Sequence, residues 1–398
     1  MQTIIDRIAT ELTARPEQIQ AAIALLDGGA TVPFIARYRK EVTGGLDDTQ
    51  LRHLEERLSY LRELEERRAS IVKSIVEQGK MNDLLAQQIA LADNKARLED
   101  LYLPYKPRRV SKGQLAREAG LEALADLLLT QPEHLPQEAA VAYIQADSAY
   151  ADSKAVLEGA RHILMERFAE NADLLAALRQ RRQDEGLLHA RLVAGKEAAG
   201  QKFRDYFAYD EKLSDIPSHR ALALLRGRNE GVLSLSVDLP VSAEAERHPG
   251  ELLIAAHAGI QAQGRAADDW LAEVVRWTWK IKLQTHMESE ALSELKQHAE
   301  ADAIQVFARN LKALLMAAPA GMKATLGLDP GLRTGVKMAV VDATGKLLEH
   351  GVIFPHEPKR DWQGALLELA RICQRHNVQL VAIGTARPRA RPTNWWQS

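Results

Sequence analysis

Hydrophobic residues recur at helical spacing over most of the first 320 residues. Positions i, i+3, i+4 and i+7 lie on one face of a helix, and this or a closely similar spacing occurs repeatedly. Two examples are Ile19, Ala22, Ile23 and Leu26, and Leu51, Leu54, Leu58 and Leu61. The second seam begins after Asp47-Asp48, and a helix from there to Gln78 would be about 45 Å long at 1.5 Å per residue. The pattern predicts a mainly helical region with one long helix as a scaffold.

Strand patterns appear in two places. The stretch RALALLRGRNEGVLSLSVDLP predicts a helix, a basic turn and then one strand containing Val232, Leu233, Leu235 and Val237. After Ala324, the runs ATLGLD, VKMAVVD and KLLEHGVIF are separated by glycine-containing turns. A helix is predicted over residues 361–376, followed by a buried strand at VQLVAI. The order β-β-β-α-β is that of the first half of an RNase H-like fold.

These patterns predict a mainly α multidomain protein with an incomplete α/β domain near its end. We expect a helical region over residues 1–205 and a helical scaffold with a short strand element over residues 206–320. A partial RNase H-like domain would occupy residues 321–384. Residues 385–398 do not continue any of these patterns.

Composition restricts the classes of function. The 52 Lys and Arg nearly balance the 54 Asp and Glu, so any site for a polyanion must be a local patch. The single cysteine, Cys373, excludes an internal disulfide, and the absence of CxxC and HExxH spacing leaves no metal or cofactor predicted. The first residues contain neither a secretory leader nor an apolar run of about 20 residues, so we expect a cytoplasmic protein with no membrane contact.

Three short basic segments are the candidate nucleic-acid-binding sites. Guanidinium and ammonium groups attract phosphate, and neighbouring aromatic rings such as Phe34, Tyr38, Tyr102 and Tyr105 can stack on bases. The candidate residues are Arg37, Arg39, Lys40, Lys106, Arg108, Arg109, Lys112, Arg226 and Arg228. The alternative is that these side chains are only solvated or paired with acidic neighbours, for which Glu41 and Glu230 are suitably placed.

Asp329, in the segment GLDPGLRTG, is a weak catalytic candidate. A carboxylate at the end of the first strand of an RNase H-like sheet is where such enzymes place a metal ligand. Metal-dependent phosphodiester hydrolysis needs several converging carboxylates, however, and Asp342 in DATG is better explained as a turn residue. We therefore predict no complete catalytic site and no bound metal. Trp270, Trp277 and Trp279 have helical spacing, which favours packing over a base-stacking surface.

Four segments together resemble one protein family. These are LLDGGATVPFIARYRKEVTGGLDD, LEDLYLPYKPRR, LALLRGRNEGVLSLSV and TLGLDPGLRTGVKMAVVD, in this order. They closely resemble the bacterial Tex proteins, RNA-binding transcription accessory factors, from near residue 1 to Gly384. The resemblance implies a helix-turn-helix-like N-terminal part, a long-helix scaffold and a YqgF domain, which is RNase H-like and lacks a complete nuclease site. Family members continue with helix-hairpin-helix modules and an OB-type RNA-binding barrel.

The last fourteen residues depart from the family pattern. Tex proteins usually continue VAIG as NGTASRETDKLVAE, whereas this chain has TARPRARPTNWWQS. A DNA sequence encoding GNGTASRETDKLVAE encodes GTARPRARPTNWWQS once one A is deleted from the Asn codon. We therefore predict that Thr385 to Ser398 are translated out of frame and that the family's later modules are lost. An intact Asn codon at the locus would contradict this.

Three functions remain open at this point. The first is a truncated RNA- or DNA-binding scaffold that acts with RNA polymerase or other transcription machinery, without a cofactor. The second is a RuvC-like or RNase H-like metal-dependent nuclease, for which Asp329 is the only residue-level support. The third is a non-functional fragment or a protein-interaction scaffold.

Overall fold

The computed structural model describes residues 2–107, 109–241, 246–316, 320–331, 334–356 and 359–384. Arg108 and the predicted out-of-frame tail, residues 385–398, lie outside these ranges. The chain divides into two compact units, with the boundary between Ile304 and Gln305. The domain boundaries expected at residues 205 and 320 stay predictions.

Helices account for most of the first hundred described residues. They are α1 (Gln2–Leu12), α2 (Pro16–Asp27), α3 (Val32–Tyr38), α4 (Asp48–Glu77), α5 (Asp83–Leu91) and α6 (Lys95–Tyr102). The long helix α4 begins at a capping box, in which Asp47 accepts from Gln50 N at 2.8 Å and the Gln50 side chain accepts from Asp47 N at 3.1 Å. Its leucine seam is buried against α1, α2 and α3, which confirms the predicted scaffold helix.

The middle of the chain combines helices with a small sheet. The helices are α7 (Lys112–Glu118), α8 (Glu122–Thr130), α9 (Pro136–Val141), α10 (Ser153–Ala169), α11 (Ala172–Glu185) and α12 (Ser218–Asn229). The strands are β1 (Leu187–Leu192), β2 (Ala208–Lys212) and β3 (Leu233–Asp238), antiparallel in the order β2-β1-β3. Strand β3 was predicted, but β1 and β2 were not.

The next segment is helical with one irregular turn. It contains α13 (Pro249–His257), α14 (Asp268–Trp277) and α15 (Gln284–Leu315). Between α14 and α15 the chain forms a π-helical turn over Thr278–Leu283. One hydrophobic core joins this segment to α8, α10 and α11, and it includes Trp279 and Leu283.

The second sheet confirms the predicted β-β-β-α-β order. Its elements are β4 (Thr325–Gly331), β5 (Gly335–Val341), β6 (Leu347–Ile353), α16 (Trp362–Arg375) and β7 (Leu380–Ile383). The strand order is β6-β5-β4-β7, with β7 parallel to β4 and the other pairs antiparallel. Gly335 has a φ of +79°, and a Cβ there would lie 2.7 Å from the Ile353 carbonyl oxygen, so the turn into β5 requires glycine. Leucine, valine and methionine side chains on one face pack against α16.

Candidate nucleic-acid interface

The first basic segment forms an exposed surface on α3 and the two residues after it, here called the 34–40 surface (Phe34, Arg37, Tyr38, Arg39 and Lys40). Val32, Ile35 and Ala36 are buried in the core with α4, so the intervening positions face outward. Phe34 and Tyr38 are 42% and 62% exposed, with ring centroids 5.4 Å apart. Two large rings that remain open to solvent on a short helix are suited to contact with flat ligands.

Cations surround these two rings. Arg37, Arg39 and Lys40 are exposed, and the Arg39 guanidinium lies 5.6 Å from the Phe34 ring centroid. Among the described residues, none of the three makes an ion pair with a carboxylate within 4.0 Å, and Glu41 is not a partner. The hydrogen bond from Arg52 lowers the pKa of the Asp48 carboxyl, and the positive charge of Arg37 lowers it slightly further. The 34–40 surface therefore carries excess positive charge next to exposed rings.

The second basic segment is the connector between α6 and α7. Lys106, Arg109 and Lys112 are exposed, while Arg108 lies outside the described residues. Tyr102 is buried, with its hydroxyl 3.0 Å from Ser74 Oγ, so its ring cannot stack on a base. The connector is fixed at the C-terminal end of α4, because the Gln78 side chain donates to the Tyr105 carbonyl at 2.9 Å.

The first two basic segments do not converge on one site. The 34–40 surface lies near Asp48 at the start of α4, and the connector lies near Gln78 at its end. A 30-residue helix is about 45 Å long, so opposite ends of a rigid element separate the two segments.

The third basic segment, in the last turn of α12, is partly neutralised. Arg226 pairs with Glu230 at 2.9 Å, and Lys202 approaches the same carboxylate at 2.5 Å. Arg228 is exposed on the same turn. The pairing of Arg226 with Glu230 is the one expected from an acidic neighbour four residues away.

Asp329 belongs to no described cluster of metal-ligating side chains. It is exposed near the end of β4, and its register partner on β5 is Lys337. In the described part of the chain, no group of three or more His, Cys, Asp or Glu side chains could hold a metal ion. Asp342 accepts from the Thr344 hydroxyl at 2.7 Å and from the Lys346 and Thr344 amides at 3.0 and 2.8 Å, and these bonds lower its pKa. Asp342 is thus the turn residue that the sequence predicts.

The tryptophans on and after α14 serve in packing. Trp279 is buried and stacks on His248, with centroids 4.7 Å apart and an angle of 22° between the ring planes. Trp277 lies under the Arg161 guanidinium at 4.2 Å. Both observations agree with packing rather than a base-stacking surface. Among the described residues, no helix is long and apolar enough to cross a membrane.

The fold and the candidate site together define a helical scaffold protein that carries an RNase H-like sheet and exposed basic segments. Family models match three parts of the chain: a Tex-like protein N-terminal domain over residues 2–76, a Tex central region-like segment over residues 131–307 and a Tex protein YqgF-like domain over residues 323–393. The chain belongs to the Tex family.

Curated relatives agree with this assignment. Protein YhgF from Escherichia coli is 58% identical over 379 residues, covering 95% of this chain and 49% of the relative. Transcriptional accessory protein Tex from Neisseria gonorrhoeae is 53% identical, covering 95% of this chain and 49% of the relative. The human S1 RNA-binding domain-containing protein 1 is 28% identical, covering 84% of this chain and 34% of the relative. This chain spans about half the length of the two bacterial relatives.

Proposed function

We propose that this chain is a nucleic-acid-binding scaffold that acts with the transcription machinery, and that it binds single-stranded RNA through the 34–40 surface. The observation that carries the proposal is the pair of exposed rings, Phe34 and Tyr38, among three cations without carboxylate partners in the described structure. Stacking of a base on an aromatic ring contributes about 1–3 kcal/mol, and cations attract the neighbouring phosphates. Both contacts are available on the same turn of helix.

The other basic segments support the proposal less strongly. Lys106, Arg109 and Lys112 are exposed and can contact phosphate, but Tyr102 is buried and offers no stacking face. Arg226 is already paired with Glu230, which leaves Arg228 as the more available cation of the third segment. We expect these residues to add salt-dependent contacts and the 34–40 surface to provide the base-stacking contacts.

The choice of RNA and of transcription as the setting is supported by the names of relatives. One relative is named a transcriptional accessory protein and another an S1 RNA-binding domain-containing protein. A contact with RNA polymerase is part of the proposal, and its only support is the word transcriptional in one of these names.

We propose a binding protein rather than a nuclease because Asp329 lies opposite Lys337 and belongs to no group of three or more metal-ligating side chains among the described residues. Incubation with radiolabelled RNA and DNA in magnesium tests the alternative. Cleavage by the wild-type chain that Asp329→Asn abolishes would contradict the binding proposal and support the nuclease alternative.

Fluorescence anisotropy with a labelled single-stranded RNA decamer tests the binding function. Tyr38→Ala should weaken binding about fivefold or more through lost stacking, and the slope of log affinity against log salt should stay unchanged. Arg37→Gln should weaken binding and reduce the slope by about 0.7, the value for one lost phosphate contact on a single strand. Lys296→Gln is the control, since this lysine is also exposed but lies on α15, away from the three basic segments in sequence. Equal affinity of all four proteins would contradict the 34–40 surface as the site.

A further inference from the structure

The loop between α3 and α4, here called the α3–α4 loop (residues 39–47), carries two of the three cations of the 34–40 surface, Arg39 and Lys40. Both side chains are exposed, yet both backbone carbonyls accept bonds from residues further along the loop. The Thr43 amide donates to the Arg39 carbonyl at 3.2 Å. The Gly45 amide donates to the Lys40 carbonyl at 2.9 Å. The fold of the loop therefore fixes the backbone that carries the two cations.

Thr43 anchors the loop from its buried side. The residue is 0% exposed, and its hydroxyl oxygen lies 3.4 Å from the carbonyl oxygens of both Arg39 and Lys40. A buried hydroxyl without an acceptor costs free energy, so the side chain favours the loop conformation in which these carbonyls face it. The position of Thr43 therefore determines where the backbone of Arg39 and Lys40 lies.

Gln18, in the first turn of α2, holds Thr43 in place from a distant part of the sequence. Its Nε2 donates to the Thr43 carbonyl at 3.2 Å and to the Gly44 carbonyl at 2.9 Å. Its Oε1 accepts from the Arg15 amide at 3.0 Å. Carbonyls only accept and amides only donate, so the side-chain amide of Gln18 has one orientation that satisfies all three bonds.

Gly44 permits this approach of Gln18 to the loop. Its φ is +58°, and a Cβ there would lie 2.9 Å from Gln18 Nε2. Gly45 also has a positive φ, +91°, but a Cβ there would meet nothing within 4 Å. A side chain is therefore strained by the backbone conformation at both positions, and at Gly44 it would also displace the Gln18 amide.

The Arg39 guanidinium joins the loop to the exposed rings. Its Nη1 donates to the Tyr38 carbonyl at 3.2 Å, and its central carbon lies 5.6 Å from the Phe34 ring centroid. A guanidinium at this distance is attracted to the face of the ring. A shift of the backbone at Arg39 would therefore move a cation and change its contact with Phe34.

We propose that Gln18 is a positioning residue for RNA binding, whose bonds to the α3–α4 loop hold Arg39 and Lys40 where they contact RNA phosphates. The inference rests on the proposed function and adds to it a residue that contacts no nucleotide. Contacts made by a fixed loop lose less conformational freedom on binding than contacts made by a mobile one. Loss of the Gln18 bonds therefore weakens binding even though every side chain of the 34–40 surface is still present.

Anisotropy titrations of the labelled RNA decamer with Gln18→Met test the proposal. Methionine has a similar length but cannot donate to a carbonyl. Binding should weaken about twofold to fivefold, the range for one exposed ion pair, and the slope of log affinity against log salt should decrease by about 0.7. Gln20→Met is the matched control, since it is the same exchange at an exposed position of α2, and it should bind as the wild type does.

A comparison of two backgrounds separates positioning from a general loss of stability. In an Arg39→Gln/Lys40→Gln background, Gln18→Met should weaken binding no further, because the cations that Gln18 positions are absent. An equal loss of affinity in this background and in the wild type would contradict the positioning role. Urea unfolding establishes that each variant is folded under the titration conditions.

The two glycines of the loop provide a second test. Gly44→Ala should weaken binding more than Gly45→Ala does, by a factor similar to that of Gln18→Met. Both replacements strain a backbone with positive φ, but a Cβ at Gly44 alone displaces the Gln18 amide.

The outcomes separate the role of Gln18 from the proposed function. Wild-type affinity and salt slope in Gln18→Met, with equal binding by Gly44→Ala and Gly45→Ala, would overturn the positioning role and leave RNA binding by the 34–40 surface in place. A wild-type chain that binds no RNA would overturn the proposed function and, with it, the role of Gln18.

Discussion

Replacement of Arg179 by methionine should be among the most destabilising single changes in the helical unit. Arg179 on α11 donates from Nη2 to Asp100 Oδ1 at 2.9 Å and from Nε to Glu290 Oε1 at 2.8 Å, and Nη1 contacts the second Asp100 oxygen. It therefore links α6, α11 and α15. Burial alone would lower the pKa of the guanidinium, but the bonds and charges of Asp100 and Glu290 outweigh burial and raise it. Its charge is fixed at any pH at which the protein folds.

The expected loss of unfolding free energy follows from the burial of Asp100. Asp100 is only 5% exposed, so Arg179→Met leaves a carboxylate out of water without its cation, at a cost of about 3–5 kcal/mol. Glu290 remains paired with Arg182 at 3.2 Å, so the removal of Arg179 destabilises it less than it destabilises Asp100. Arg181→Met, two residues along α11, removes an exposed pair with Glu185 at 3.1 Å and should cost about 0.3–0.5 kcal/mol.

Urea unfolding followed by circular dichroism measures both variants against the wild type. The double variant Asp100→Asn/Arg179→Met should recover part of the loss, because the charge left unpaired by the single change is gone. An Arg179→Met variant no less stable than Arg181→Met would refute the assignment of a buried, tightly paired charge.

Two further predictions concern packing and pH. Gly113→Ala should destabilise the protein by about 1–3 kcal/mol in urea unfolding, because its Cβ would overlap the Glu166 carboxylate. Gly28→Ala is the control and should have a much smaller effect, since a Cβ there would meet nothing nearer than 3.4 Å. Equal losses of stability would refute the close approach of α7 to α10. Bonds from the Gln263 and Arg265 amides lower the pKa of Asp268 to about 2, so its stabilising contribution is complete above the unfolded pKa near 4 and disappears as the pH falls through about 2. The melting-temperature difference between wild type and Asp268→Asn should therefore shrink between pH 5 and pH 2, and a constant difference would contradict this origin of the pKa shift.

The sequence predicts those parts of the fold that depend on local periodicity. The α4 seam and the β-β-β-α-β order are confirmed because each rests on residues a few positions apart. Strands β1 and β2 were missed because LLHARL and AYDEK are short and contain good helix formers, and their strand form depends on pairing with β3 and with each other.

The same distinction between local and tertiary features applies to the candidate site. Phe34 and Tyr38 were named beside Arg37 from their spacing on one short segment, and their exposure is a local property of α3. The burial of Tyr102, which removes it as a stacking ring, could not be found from sequence, because it depends on how α6 packs on α4.

The most direct test of the central claim is the affinity of the wild-type chain and Tyr38→Ala for the same labelled single-stranded RNA over a range of salt concentrations. The proposed function predicts measurable binding that falls steeply with salt in both proteins, with parallel slopes and an affinity about fivefold or more weaker in Tyr38→Ala. Superimposable curves, or no binding by the wild-type chain, would contradict it.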